Sequence, residues 1–256
     1  MSLEACALLV QRGDPDRFLA VMAAPVWARA ALFPLYAFNL EVARAPWVAK
    51  EPLVAEMRLQ WWRDVVEAAG AGGPAKAHEV AGPLHDLVQE AGLPVDLLDR
   101  LVAARRWDCW RAPFDGPEAL DDYLDATGGG LMVLAGRALG APDGTEPVFR
   151  AMGWAAGLAG FLKAVPELEA RGRQPLPAGV EVAALARRGL ARLAEARTGR
   201  KTLPKGLAPA LLAGWQAGSL LAQAAADPRA VAEGRLALSE FSRRGQLLWQ
   251  SVTGRF

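Results

Sequence analysis

FPLYAFNLEVARAPWVAKEPLVAEMRLQWWRD, residues 33–64, decides the fold class of this chain. Glu51-Pro52 sits in its middle, where proline suits the first turn of a new helix because that turn has no use for its missing N–H. Beyond it, Met57, Leu59, Trp61, Trp62, Val65 and Val66 cover a wide apolar face, with Arg58, Arg63, Asp64 and Glu67 spread around them. That spacing is helical rather than alternating. The two halves of the stretch therefore belong to helices expected over 26–49 and 52–69.

The same punctuation recurs outward. Asp14-Pro15, Leu93-Pro94, Gly116-Pro117, Ala208-Pro209 and Asp227-Pro228 each place proline where a helix can begin. After Pro117, the series Leu120, Leu124, Leu131, Leu134 and Leu139 continues through a glycine run. Further helices are expected over 15–23, 78–91, 94–111, 117–139, 147–170, 180–197, 208–225 and 228–250. Their connections, 70–77, 140–146, 171–179 and 198–206, are rich in glycine, proline and charge. Alanine and leucine dominate and no alternating strand is evident, so the expected class is all-α. With 52% hydrophobic residues and no break in composition, the 256 residues read as one domain, with its core over about 14–250.

Several functions are disfavoured at once. A net charge of +1 gives no electrostatic footprint for nucleic acid. Cys6, Cys109, His78 and His85 lack zinc-ligand spacing, and two distant cysteines make no disulfide framework, which points to a cytoplasmic protein. Glu4 and the charged run from Arg12 to Arg17 argue against a secretory leader. Leu207 to Ala226 carries no charge over a length that could span a bilayer, yet Pro209, Gln216, Ser219, Gln223 and its many alanines favour a buried helix.

Four ordered blocks then carry a resemblance: Asp14-Pro15-Asp16-Arg17 with Phe33 to Phe38; Arg58 to Asp64; Tyr123 to Gly140; and Gly157 to Pro177. In order and spacing they resemble the signature regions of the squalene/phytoene synthase family, which implies the helical isoprenoid synthase fold. The family ionises prenyl diphosphates with magnesium held by aspartates on two facing helices, because the departing diphosphate needs hard cations beside it. The resemblance places one aspartate set at Ala43, Arg44 and Trp47, and the other at Ala164 and Leu168, with only Glu167 acidic between them. Gly157, Gly160 and Leu40 stand where the family carries glutamine, asparagine and arginine. It thus implies a pseudoenzyme with no metal cofactor.

Other residues compete for attention. Asp121-Asp122-Tyr123-Leu124-Asp125 is literally a DDxxD string, with Asp121 and Asp125 on one helix face. Acids in the first turns of a helix opened by Pro117 also suit its dipole, and that reading is preferred. Arg58 and Arg63 are candidate anion-binding residues, set against a solvated face with weak pairs. Trp61 and Trp62 read as packing aromatics. Gly128-Gly129-Gly130 within a helix suggests close approach of another backbone or of a ligand chain. The resemblance supplies candidate pocket residues: Phe33, Tyr36, Gly129, Gly157, Gly160 and Phe161. Arg187 to Lys205, and Arg243, Arg244 and Arg255 with Leu247, Leu248, Trp249 and Phe256, are candidates for contact with a membrane surface or a partner.

Tyr36 to Arg44, followed by Glu51-Pro52 and Arg58 to Asp64, most resembles the aspartate-lacking branch of the family that acts in assembly of respiratory complex I. The expected function is a helical pseudoenzyme that binds a protein partner, and an isoprenoid or lipid, at the inner membrane face. Two alternatives stay open: a divergent magnesium-dependent prenyl transferase using Asp121, Asp122, Asp125 or Glu167, and a carrier of a quinone or similar lipid.

Overall fold

The computed structural model describes residues 2–49, 51–204 and 206–255, and among them there are helices and no strands. The chain enters with α1 (Leu3–Gly13), capped by the Ser2 hydroxyl, which accepts from the Ala5 N–H at 3.3 Å. This helix was not among those expected, although Ser2 and Glu4 are ordinary start signals. It buries Cys6 and Val10. Asp14 then accepts from the Arg17 N–H at 2.9 Å and, with Pro15, opens α2 (Pro15–Ala23).

The deciding stretch forms α3 (Val26–Val48) and α4 (Pro52–Gly70), as its spacing requires. They are followed by α5 (Ala81–Ala91) and α6 (Val95–Ala104), with a 3-10 turn over Arg105–Cys109. The chain continues through α7 (Pro117–Leu124), a π-helical turn over Asp125–Gly129, and α8 (Gly130–Ala138). The long α9 (Glu146–Ala170) follows, then α10 (Val182–Gly199). Four shorter pieces complete it: α11 (Ala208–Leu211), α12 (Ala217–Ala226), α13 (Arg229–Ala232) and α14 (Glu240–Thr253).

Four expected helices are interrupted, and the one over 94–111 tightens into the 3-10 turn after Ala104. The one over 117–139 carries the π turn, because Gly128 lies against the backbone of α9: a Cβ there would meet the Gly153 oxygen at 2.5 Å and the Gly157 Cα at 2.9 Å. Only glycine permits that approach. The helix over 208–225 is broken by a 3-10 turn at Leu212–Gly214, where a Cβ on Gly214 would strike Met152 Cε at 2.5 Å. The helix over 228–250 stops after α13, where Gly234 takes a φ of +67°.

α9 is the central helix, packed by α8, α10, α12 and the π turn. It is also the one described helix long and apolar enough to cross a membrane, but 67% of its most apolar window is buried inside the fold. One continuous core runs from Cys6 to Leu247 and includes Phe38, Leu84, Leu98, Leu124, Leu134 and Phe149. Each such side chain contributes ~1.5–3 kcal/mol of transfer free energy. The uncharged run after Leu207 lies in this core through Leu211, Trp215, Leu220 and Leu221. Trp62 is buried edge-on to Phe38 and Trp61, with ring centroids 5.4 and 4.9 Å away. Lys205 and Phe256, counted among the surface candidates, lie outside the described residues.

Candidate functional site

Helical spacing on α3 turns Tyr36, Asn39, Leu40, Ala43 and Trp47 to one side. The same spacing on α9 turns Gly153, Ala156, Gly157, Gly160, Phe161, Ala164 and Leu168 toward them. The run from α7 to α8 supplies a third wall with Tyr123, Leu124, Thr127, Gly128, Leu131 and Met132. Between these walls is a cavity of about 350 Å³. That lies at the lower end of the ~300–1,000 Å³ typical of small-molecule sites. Glycine and alanine on α9 create the space, since larger side chains there would close it.

Of the six candidate pocket residues, Tyr36, Gly157, Gly160 and Phe161 line the cavity. Phe33 does not: it is buried against Phe18, ring centroids 5.7 Å apart. Gly129 does not either, because it packs on Arg150 and Asp125, and its neighbour Gly128 takes the lining position. The π turn shifts the register there by one residue, which helical spacing could not anticipate.

The positions assigned to the family's aspartates do face one another. Ala43 and Trp47 on α3 lie across the cavity from Ala164 and Leu168 on α9, while Arg44 turns outward beside Glu41. Magnesium requires several oxygen ligands, and these side chains offer none. The cavity's own acids are Asp14 and Asp108, and both are already engaged. Asp14 pairs with Arg17 at 2.7 Å. Asp108, with 5% of its side chain exposed, pairs with Arg105 at 3.3 Å and accepts from the Tyr123 hydroxyl at 2.9 Å. The residues present do not fit a magnesium cluster.

The DDxxD string lies outside the cavity apart from its Tyr123 and Leu124. Asp125 is held by Arg150 at 2.6 Å, Asp121 by Arg188, and Asp122 is exposed. Among the described residues no group of three or more His, Cys, Asp or Glu side chains is placed to hold a metal ion. The two candidate anion-binding arginines also separate. Arg63 forms a forked pair with Asp99 at 2.6 and 3.0 Å, whereas Arg58 is exposed beside a surface groove with Arg44, Trp61 and His78.

Sequence inspection missed the polar floor of the site. Arg105 donates to the Tyr123 hydroxyl at 2.6 Å, closing a buried triangle with Asp108. Burial pulls the Arg105 guanidinium down, but Tyr123 and Asp108 outweigh it and hold its pKa above the ordinary value. Burial also pushes the Tyr123 hydroxyl far up, against the opposing Arg105 charge. Behind this triangle Arg173 donates to the Asp108 and Trp107 carbonyls at 2.7 Å each, and also to the Trp110 carbonyl. Burial dominates there and lowers its pKa. On α3, burial raises Tyr36 to about 12 despite the nearby Arg17. The signal available in the sequence was the α3 spacing itself, which brings Asn39 into line with Tyr36 and Ala43.

A squalene/phytoene synthase family model matches residues 10–180. A curated complex I assembly factor 6 homolog of Drosophila melanogaster is 30% identical over 178 residues, 67% of this chain and 52% of that protein. Complex I assembly factor 6 of Homo sapiens is 27% identical over 173 residues, with the same coverage. The chain thus spans about half the length of the curated relatives it matches. Among solved structures, squalene synthase of Alicyclobacillus acidocaldarius superposes with a TM-score of 0.74 at 21% identity, covering 87% of this chain and 92% of that one. A dehydrosqualene synthase solved with a ligand gives 0.81 at 14% identity, covering 98% and 95%. At such identities these structures establish the fold alone, and that fold is the all-α isoprenoid synthase type.

Proposed function

Since this chain belongs to the squalene/phytoene synthase family, we propose that it is a non-catalytic member that assists assembly of a respiratory complex. The observation that carries the loss of catalysis is the pair of facing walls: Ala43 and Trp47 against Ala164 and Leu168. A prenyl diphosphate entering this cavity would meet no hard cation, so the leaving group would lack the charge stabilisation its departure requires. The assembly role is supported by the curated relatives, whose names describe complex I assembly factors.

The protein partner, a subunit or intermediate of that complex, docks on the outer surface, while the cavity holds a lipid or isoprenoid. α14 supports docking: Phe241, Leu248 and Val252 fall on one face and are 90%, 66% and 77% exposed. An apolar stripe of this kind is costly to leave in water. The protein acts in the cytoplasm, at the inner face of the membrane where such a complex is built. The basic stretch from Arg187 contributes less to that contact than its composition suggests, because Arg188 pairs with Asp121, Arg192 with Glu195, and Arg200 donates to the Thr253 carbonyl.

Two measurements test this reading. Deleting the gene is expected to lower the amount of assembled, NADH-oxidising complex on native gels, with restoration by the Asp121→Asn/Asp125→Asn variant. Purified protein given farnesyl or geranylgeranyl diphosphate, with and without magnesium, is expected to release no diphosphate. Magnesium-dependent release that is lost in the double variant would instead establish a divergent prenyl transferase.

A further inference from the structure

The charges lining the cavity cancel in pairs, Asp14 with Arg17 and Asp108 with Arg105. Two neutral polar groups on α3 remain without partners. Asn39 is 5% exposed and its side-chain amide makes no hydrogen bond among the described residues; its Oδ1 is sealed, which leaves the Nδ2–H to a cavity occupant. The Tyr36 hydroxyl, in a residue 2% exposed, also makes none among the described residues. Both residues line the cavity. Three positions apart on one helix face, their Cβ atoms are ~5–6 Å from each other, within reach of a single small head group. A buried polar group left unpaired is destabilising, so this cluster calls for an oxygen function brought in from outside the protein.

The same bookkeeping excludes a diphosphate. Adding two or three negative charges to a lining of net zero charge, in a low-dielectric space, would leave them uncompensated. We propose that the cavity takes an uncharged apolar molecule whose carbonyl or hydroxyl oxygen accepts from the Asn39 Nδ2–H and from the Tyr36 hydroxyl. This rests on reading the cavity as a lipid site and specifies the chemical class of its occupant. High retention of the tyrosine proton, caused by burial, keeps that hydroxyl a neutral donor at any physiological pH.

The test uses three probes with one chain and different heads: farnesol, farnesyl diphosphate and the hydrocarbon farnesene. Binding is followed by quenching of tryptophan fluorescence, since Trp47 lines the cavity. Farnesol is expected to bind tightest, and Tyr36→Phe and Asn39→Leu are each expected to weaken it roughly threefold to tenfold while leaving farnesene unchanged. The wild-type probe series decides the matter even where a variant folds poorly. Diphosphate binding tighter than farnesol would overturn the neutral-head assignment and leave the lipid site standing. Farnesene binding as tightly as farnesol would do the same for the roles of Tyr36 and Asn39. Binding of none of the three would overturn both this inference and the lipid site on which it rests.

Discussion

Asp108→Asn is the substitution that bears most directly on the site. Asp108 is the only anion within the buried triangle, with 5% of its side chain exposed against 19% for Arg105. Asparagine preserves the shape and an acceptor for the Tyr123 hydroxyl, but it leaves the Arg105 cation uncompensated. Breaking a buried pair costs ~3–5 kcal/mol, and the retained acceptor places this case near ~3 kcal/mol. For a chain of this size that corresponds to a fall in melting temperature of ~6–12 °C. The matched control is Asp121→Asn, which breaks a pair whose side chains are 43% and 40% exposed and should cost under ~1 kcal/mol. Thermal unfolding followed by circular dichroism measures both. The same variant uncovers a positive charge in the cavity, so its affinity for farnesyl diphosphate should rise above wild type. A melting temperature lowered by less than ~2 °C, with diphosphate binding unchanged, would refute the buried triangle as the electrostatic centre of the site.

Other expectations follow from the same geometry. Tyr36 has its pKa raised from 10 to about 12, so its neutral form is favoured by folding. That stabilisation is complete below pH 10 and is lost as pH rises toward 12, by about 3 kcal/mol in all. Urea unfolding at pH 9 and 11.5 should show the decline, and Tyr36→Phe should make it shallower. Gly153→Ala places a methyl 2.6 Å from Met132 Cβ and against the Gly128 backbone, and should destabilise by ~1–3 kcal/mol. Gly160→Ala meets nothing within 4 Å and lies in the cavity, so stability should hold or improve by up to ~1 kcal/mol while farnesol binding weakens. Arg63→Gln loses only a pair with Asp99 whose side chains are 37% and 35% exposed, so it should cost under ~1 kcal/mol and leave ligand binding unchanged by titration.

Much of the site was legible because helical spacing is a local property. Tyr36, Ala43 and Trp47 follow the period of α3, and Gly157, Gly160, Phe161, Ala164 and Leu168 follow that of α9, so both walls could be placed from the resemblance and the period together. Phe33 failed because the same helix also buries its other faces: α3 is apolar nearly all round, and composition does not say which apolar side meets the cavity. Gly129 failed because one π turn changes the phase. Arg63 failed because its partner Asp99 lies on another helix, 36 residues away.

What the sequence determined by itself was the all-α class, the start of most helices and the family, since each is carried by residue identity and short-range spacing. The tertiary structure alone decided that Asp121 and Asp125 of the DDxxD string are consumed by Arg188 and Arg150, that Asp108, Tyr123 and Arg105 close a buried triangle, and that the Asn39 and Tyr36 side chains make no hydrogen bond among the described residues. Whether a polar group is free or satisfied depends on partners brought from distant parts of the chain and on the burial that strengthens their interaction. Neither quantity is present in the local order of residues.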